Sequence, residues 1–395
     1  MSKYTRITLH PGKDHSLKRF HPWVFSGAIK SIEGEINEGD VAEVFSSKGQ
    51  YLATGHYSPG ASIAVRLISF EQRDIDHSFW VEKIQQAYDF RVRINLANNN
   101  LSNVYRLIFA EGDGLPGLII DYYNKTAVFQ AHSMGMYLAA KRIKEAMIEV
   151  MGDKLDAIYD KSYESLPVKS SALAKNQYIF NESKPGIVIE NGHKFKVDWE
   201  TGQKTGFFID QRDNRELLAK YSKDKKVLNT FCYTGGFSIY ALNAGAKLVH
   251  SVDSSQKAMD MVDINVELNK KAASHKSFTS DVFSFMKDME EDYDIIILDP
   301  PAFAKSRNVS HNAVKGYKRL NMEAIKRIKK GGLLFTFSCS QVIHRALFEN
   351  TIIAAAIEAG RKAKIIHHLS QPADHPVNIF HPEGEYLKGL VLYIE

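Results

Sequence analysis

From residue 226 onward the chain alternates short apolar runs with stretches of helical spacing, and this rhythm restricts the fold more than any other feature. Val227–Asn229, Leu248–Val252, Ile295–Leu298 and Leu333–Ser338 read as strands. Phe237–Ala244, Gln256–Asn269, Val314–Lys329 and Ala346–Ala359 read as helices between or after them. Continuously apolar strands imply burial on both faces. Their alternation with helices predicts a parallel, doubly wound α/β sheet. Just before it, Ile187–Glu190 and His193–Val197 flank Asn191-Gly192, a dipeptide that tolerates positive φ at both central positions of a hairpin.

The N-terminal portion has a different rhythm. Val41–Phe45, Tyr51–Thr54 and Ile63–Ile68 are short strands between glycine-bearing turns, which predicts a small β-barrel module over residues 1–72. Residues 73–186 mix a helix (Phe79–Phe90), strands (Tyr105–Phe109, Leu118–Tyr122, Ala127–Ala131) and an amphipathic helix (Tyr137–Met151), giving an α+β middle domain. The α/β domain occupies 187–395. A chain of 395 residues, 44% hydrophobic and 25% charged, can bury this many cores. No apolar run approaches the ~18 residues of a membrane helix, and the basic N-terminus lacks the apolar stretch of a secretory signal. Two cysteines exclude a disulfide framework and a cysteine-based zinc site, so a reducing cytoplasm is expected.

The expected chemistry gathers at strand ends. Asn229-Thr230-Phe231-Cys232-Tyr233-Thr234-Gly235-Gly236 runs from a strand into a helix, and its glycines let backbone approach a ligand. About twenty residues on, Asp253 ends the next strand, where an acid can accept both ribose hydroxyls. The loop is not G-x-G-x-x-G, which counts against a dinucleotide. Asp281-Val282 would suit an adenine amino group and ring, with a helix N-cap the alternative for Asp281. Asp299-Pro300-Pro301 fixes an acid at the carboxyl edge of the sheet. Cys339, flanked by Ser338 and Ser340, ends a buried strand facing the same crevice, and nearby cations would lower its pKa toward a reactive thiolate. Cys232 is read as loop packing.

Charge is uneven. The net is +5, yet residues 1–30 hold six Lys/Arg against one acid and residues 301–330 hold nine against one. Lys13, Lys18 and Arg19 in the first cluster and Lys305, Arg307, Lys315, Lys318 and Arg319 in the second form a two-sided basic footprint suited to RNA phosphates.

Several strings together closely resemble the large-subunit ribosomal RNA methyltransferase I family. They are Gly202–Arg215 (GQKTGFFIDQRDNR), Tyr233–Phe237, Leu298–Ser306 (LDPPAFAKS) and Phe337–Ser340. His21-Pro22-Trp23-Val24-Phe25 is similar to that family's N-terminal PUA-type RNA-binding module. Glu111–Gly117 resembles its middle domain, and Ala373–Pro376 with Glu383–Gly389 its C-terminal segment. The resemblance implies a Rossmann-like class I methyltransferase domain, S-adenosylmethionine (SAM) as cofactor and cytosine-C5 methylation of large-subunit ribosomal RNA. It implies a cofactor site of Phe207, Asp210, Arg212, Asn229, Phe231, Tyr233, Thr234, Gly235, Gly236, Asp253, Ser254, Asp281, Val282, Asp299 and Pro300. Cys339 would add to carbon 6 of the base, with Asp299 on its N3/N4 edge. Expected partners are ribosomal RNA and no membrane, with a homodimer left open.

Two departures qualify the match. Better-known RNA cytosine-C5 enzymes carry a second cysteine where this chain has Ala302, so Cys339 must act alone, as in uracil-C5 enzymes. The glutamate base of the latter falls near Lys388, leaving Asp299, Glu385 or water as proton acceptor. A uracil-C5 or guanine methyltransferase and a non-catalytic ribosome-assembly factor are the competing readings. His367, His368, His375 and His381 lack metal-ligand spacing, and no metal is expected.

Overall fold

β-Branched and aromatic residues between glycine-bearing turns build the N-terminal strands. β1 (Thr5–Leu9), β2 (Trp23–Phe25), β3 (Ile29–Glu33), β4 (Val41–Phe45), β5 (Tyr51–Tyr57) and β6 (Ile63–Ser69) pair in the order β2-β6-β5-β4-β1-β3. The two strands at the ends of that order are consecutive in the chain, joined by a single turn at Ser26–Ala28. Ile7, Leu9, Val24, Val44, Val65 and Leu67 fill the core. The computed structural model describes residues 3–167, 174–289, 292–303 and 310–395, and it divides into two units.

The first unit comprises Met1–Val188 with Val197–Gly206 and Ala373–Gly384. Its second sheet holds β7 (Val104–Phe109), β8 (Leu118–Tyr123), β9 (Thr126–Ala131), β10 (Ala157–Asp160) and β11 (Gln177–Phe180), ordered β11-β10-β9-β8-β7. The helix His77–Arg93 starts where the Asp76 carboxylate accepts the Phe79 N–H at 3.1 Å, and it buries Phe79, Trp80, Ile84 and Tyr88 in the core under this sheet. The helix expected over Tyr137–Met151 is instead two, Met134–Leu138 and Ala140–Met151. The shorter one docks at Gly135, where an added Cβ would lie 2.1 Å from the His56 ring. The chain then turns at Ala139 so that Ile143, Ala146 and Met147 of the longer one reach the core. Fully buried Arg91 ties the late segment to this unit. It forms a bidentate pair with Asp113 and donates to the backbone carbonyls of Arg106 (2.8 Å) and Asp374 (3.0 Å).

The hairpin β12 (Ile187–Glu190) and β13 (His193–Lys196) turns at Asn191 (φ 49°) and Gly192 (φ 79°), as its dipeptide predicts. The second unit, Ile189–Lys196, Phe207–Pro372 and Glu385–Glu395, is built on one seven-stranded sheet. β14 (Lys226–Thr230), β15 (Leu248–Asp253), β16 (His275–Thr279), β17 (Ile295–Leu298), β18 (Gly332–Ser338), β19 (Ala363–Ser370) and β20 (Lys388–Ile394) lie in the order β16-β15-β14-β17-β18-β20-β19. The first five are parallel, but β20 runs antiparallel to β18 and β19, which corrects the expectation of a purely parallel sheet. The reason is the connection. β19 is reached through the helix Arg345–Glu358 and keeps the common direction, whereas β20 follows without a crossover helix and returns between its neighbours. The helices Gly236–Asn243, Gln256–Leu268, Ser310–Arg327 and Arg345–Glu358 lie within a few residues of their expected places. Among the described residues, no helix is long and apolar enough to cross a membrane.

Candidate cofactor and nucleophile site

The strand order reverses at β14, whose neighbours are β15 on one side and β17 on the other. Open α/β sheets bind ligands at such a switch point, beyond the carboxyl ends of the strands. The loop leaving β14 is built for close approach. Phe231 (φ 53°) and Tyr233 (φ 46°) hold left-handed backbone ahead of Gly235 (φ 80°), a strained conformation that non-glycine residues adopt only under constraint. The Asp253 carboxylate, at the end of β15, supplies part of that constraint. It accepts the Tyr233 N–H at 3.0 Å on one oxygen and the Ser255 N–H at 3.0 Å on the other. Asn265 donates to the Thr234 carbonyl at 2.9 Å from the helix behind. The sequence thus brings Phe231, Tyr233, Thr234, Gly235, Gly236, Asp253 and exposed Ser254 to one corner of the unit.

A second group sits at the ends of β17 and β18. Asp299 accepts a hydrogen bond from the Gln211 amide at 3.0 Å. Burial pushes its carboxyl up to about 7, and the Asp210 charge adds to the rise. Asp210 accepts a hydrogen bond from the Tyr386 hydroxyl at 2.6 Å, and its other oxygen is buried without a partner among the described residues. Cys339 is half-buried. The expectation of a cation-lowered thiol is corrected here. Burial, then the charges of Asp299 and Asp210, push Cys339 up to about 11, and Lys388 only partly opposes them. Lys388 is the residue sequence reasoning undervalued. It stands opposite Ser338 in the β18–β20 register, and its buried ammonium donates to the Ser340 carbonyl at 2.7 Å, spanning Cys339. Burial pulls it down to about 8. Gln211 and Tyr386 were missed as well, although both lie in recognised strings, and so was Tyr317, whose buried hydroxyl accepts from Ser338 Oγ at 3.0 Å next to Cys339.

Other expected members have structural duties. Phe207 is buried against Phe195 (centroids 4.9 Å) and the Arg215 guanidinium (4.8 Å). Arg212 is buried 3.5 Å from the Glu190 carboxylate. Asn229 is buried and donates to Ser238 Oγ at 2.9 Å. Asp281 caps the helix Val282–Lys287, accepting the Ser284 N–H at 2.9 Å, and Val282 is a core residue, 3% exposed. Pro300 is buried behind Asp299. Cys232, 7% exposed beside Met259 (3.6 Å), is held well above its usual thiol range by burial, in line with a packing role.

Comparison with known proteins decides the lineage. Residues 181–379 match the S-adenosylmethionine-dependent methyltransferase family, and residues 7–70 match a PUA-like domain. Ribosomal RNA large subunit methyltransferase I of Vibrio vulnificus is 41% identical over 391 residues, covering 97% of this chain and 98% of the relative. The protein of the same name from Aeromonas salmonicida is 40% identical, covering 98% of each. The chain belongs to the ribosomal RNA large subunit methyltransferase I family. Its fold is shared by a putative methyltransferase crystallised with S-adenosylhomocysteine, at TM-score 0.84 and 24% identity over 98% of this chain and 99% of that one. A putative SAM-dependent methyltransferase from Streptococcus mutans gives 0.83 at the same identity and coverage.

The residues at the switch point fit the cofactor of this SAM-dependent family. Asp253 can take the ribose hydroxyls, and the unpartnered oxygen of Asp210 can take a cationic ammonium. The described basic residues assigned to RNA fall in two places. Lys13, Lys18 and Arg19 are exposed in the first unit, with Lys18 paired to Asp14 at 2.6 Å. Lys318 and Arg319 lie on the helix Ser310–Arg327, where Lys318 pairs with Glu358 at 2.9 Å and Arg319 covers the Phe283 ring at 4.7 Å. Lys305 and Arg307 lie outside the described residues.

Proposed function

We infer that this family member methylates carbon 5 of a cytosine in large-subunit ribosomal RNA. The observation that carries the reading is Cys339 at the tip of β18, within the electrostatic reach of Asp299 and beside the ammonium of Lys388. Carbon 5 of cytosine is a weak nucleophile. Cys339 passes its proton to a base, neutral Lys388 or solvent, and its sulfur bonds to carbon 6, so the ring becomes enamine-like with negative charge spread to N3. Asp299, titrating near neutrality, can present a proton to N3 as that charge grows. SAM supplies an electrophilic methyl group to carbon 5. A base then takes the carbon-5 proton, the sulfur–carbon-6 bond breaks, N3 returns its proton to Asp299, and the ring regains its aromaticity. Lys388 favours the thiolate form through its charge and, when neutral, is a further base beside the sulfur. The target base must leave its stack, because carbon 6 is attacked from its face.

Nucleoside mass spectrometry of large-subunit ribosomal RNA incubated with the protein and SAM tests this reading. It predicts 5-methylcytidine. 5-Methyluridine or a methylguanosine would replace the base assignment, and no methylated nucleoside would leave an RNA-binding assembly factor.

A further inference from the structure

The first unit carries an aromatic group that methyl transfer leaves without a role. Phe20, Phe25 and Phe380 are 49%, 48% and 49% exposed. Phe20 meets Phe380 and Phe70 with ring centroids 5.3 Å apart in each case. Phe25 lies 6.2 Å from the His21 ring and 6.3 Å from Trp23, and His381 packs on Trp23 at 4.3 Å and on His21 at 5.5 Å. The segment Ala373–Gly384 thus completes a patch begun at residues 20–25. Core packing does not account for three half-exposed rings gathered in one place. Phe20 also sits in left-handed backbone at φ 60°, which a bulky residue adopts only where the surroundings enforce it.

The surroundings favour a polyanion. Lys18 and Arg19 directly precede Phe20, Lys13 lies earlier in the same stretch, and all three are exposed, with Lys18 paired to Asp14; the patch itself holds Glu383 beside His21 and Glu111 on the Trp23 indole N–H. His21, His381 and Glu383 lie close together at the edge of the patch, with the carboxylate 4.0 Å from His21 Nε2 and 3.8 Å from His381 Nε2. The Trp23 N–H donates to His21 Nδ1 at 3.2 Å, so neutral His21 carries its proton on Nε2, the nitrogen 4.0 Å from that carboxylate. Exposed rings beside cations suit unpaired bases, since every base has a π-face and a flanking phosphate.

We propose that Phe20, Phe25 and Phe380 form a stacking platform for unpaired bases of single-stranded RNA, with Lys13, Lys18 and Arg19 holding the adjoining phosphates. The proposal rests on RNA being the substrate and adds how the first unit selects unpaired strands. Anisotropy titrations of the full chain with a labelled single-stranded oligoribonucleotide and with its duplex test it. Phe20→Ala, Phe25→Ala and Phe380→Ala should each weaken single-strand binding about tenfold. Duplex binding and the salt dependence of binding should not change, because the cations that hold the phosphates stay in place. Phe380→Trp should bind normally and lose indole fluorescence on adding single strands, which also guards against a variant that merely unfolds. Unchanged single-strand affinity in the alanine variants, or equal loss for both RNAs, would overturn the platform. Wild type that ignores single strands would overturn it too and leave the patch to a protein partner. Methyl transfer by the same preparations reports on the enzymatic reading separately, since its absence in wild type would refute that reading and not the platform.

Discussion

Replacing Asp299 with asparagine should make Cys339 easier to alkylate while slowing methyl transfer. Cys339 is pushed up to about 11 by burial and by two like charges, of which Asp299 is the larger. Removing one nearby like charge is worth on the order of one pKa unit, about 1.4 kcal/mol. The thiolate fraction near pH 8 then rises about tenfold. A less basic thiolate is also less nucleophilic, with a Brønsted slope of ~0.4–0.5, so the alkylation rate should rise about three- to fourfold. The gain depends on pH. Asp299 titrates at about 7, so well below that pH it is neutral in the wild type and the substitution changes little. Methyl transfer should fall on the order of 10²-fold, because asparagine cannot supply a proton to N3. Iodoacetamide labelling with peptide mapping separates Cys339 from buried Cys232. No gain near pH 8, or the same gain near pH 5, would refute the electrostatic argument.

Three further outcomes follow from other parts of the structure. Asp253→Ala removes the carboxylate proposed to accept the ribose hydroxyls, which also holds the Tyr233 N–H, so SAM affinity by titration calorimetry should drop about ten- to a hundredfold. Reversing the charges of Lys13, Lys18 and Arg19 should flatten the log–log salt dependence of RNA binding by ~0.7–0.9 for each phosphate no longer neutralised, and leave SAM binding intact. Arg215→Met removes the nearer cation from Glu190, which is fully buried and receives bonds from Arg215 at 2.6, 2.8 and 2.9 Å and from the Tyr240 hydroxyl at 2.9 Å, and leaves it Arg212 at 3.5 Å, so chemical denaturation should show a loss of about 3 kcal/mol.

What the sequence disclosed depended on period and context. Apolar strands such as Ile295–Leu298 were legible to the residue because a buried parallel strand has no polar member to blur it. The Asn191-Gly192 turn was legible because few dipeptides accept two left-handed residues. The helix Arg212–Ser222 was not, since its buried face carries Arg212 and Arg215, which pair with Glu190, and Asn214, which bonds to Gln211 and the Ser370 carbonyl, all outside the helix. The reversed direction of β20 also escaped, because an antiparallel partner inside a parallel sheet leaves no mark on hydropathy. Within the site, Asp253, Asp299 and Cys339 could be placed from strand ends alone. The pKa of Cys339 could not, because it reflects burial first and then the charges of Asp299 and Asp210, which only the packing brings near it. Phe207, Arg212 and Val282 were assigned to the cofactor site, and their burial emerged only with the packing.

The most direct test of the covalent route is trapping with RNA in which the target cytosine is replaced by 5-fluorocytosine. Fluorine cannot leave carbon 5 as a proton does, so after methyl transfer the sulfur–carbon-6 bond should persist. Denaturing electrophoresis and peptide mass mapping of the wild type should show one RNA-linked peptide, containing Cys339. Cys232→Ser should give the same adduct, and Cys339→Ala should give none and transfer no methyl group. A Cys339→Ala protein that methylates RNA at the wild-type rate, or an adduct mapped to another residue, would contradict the account.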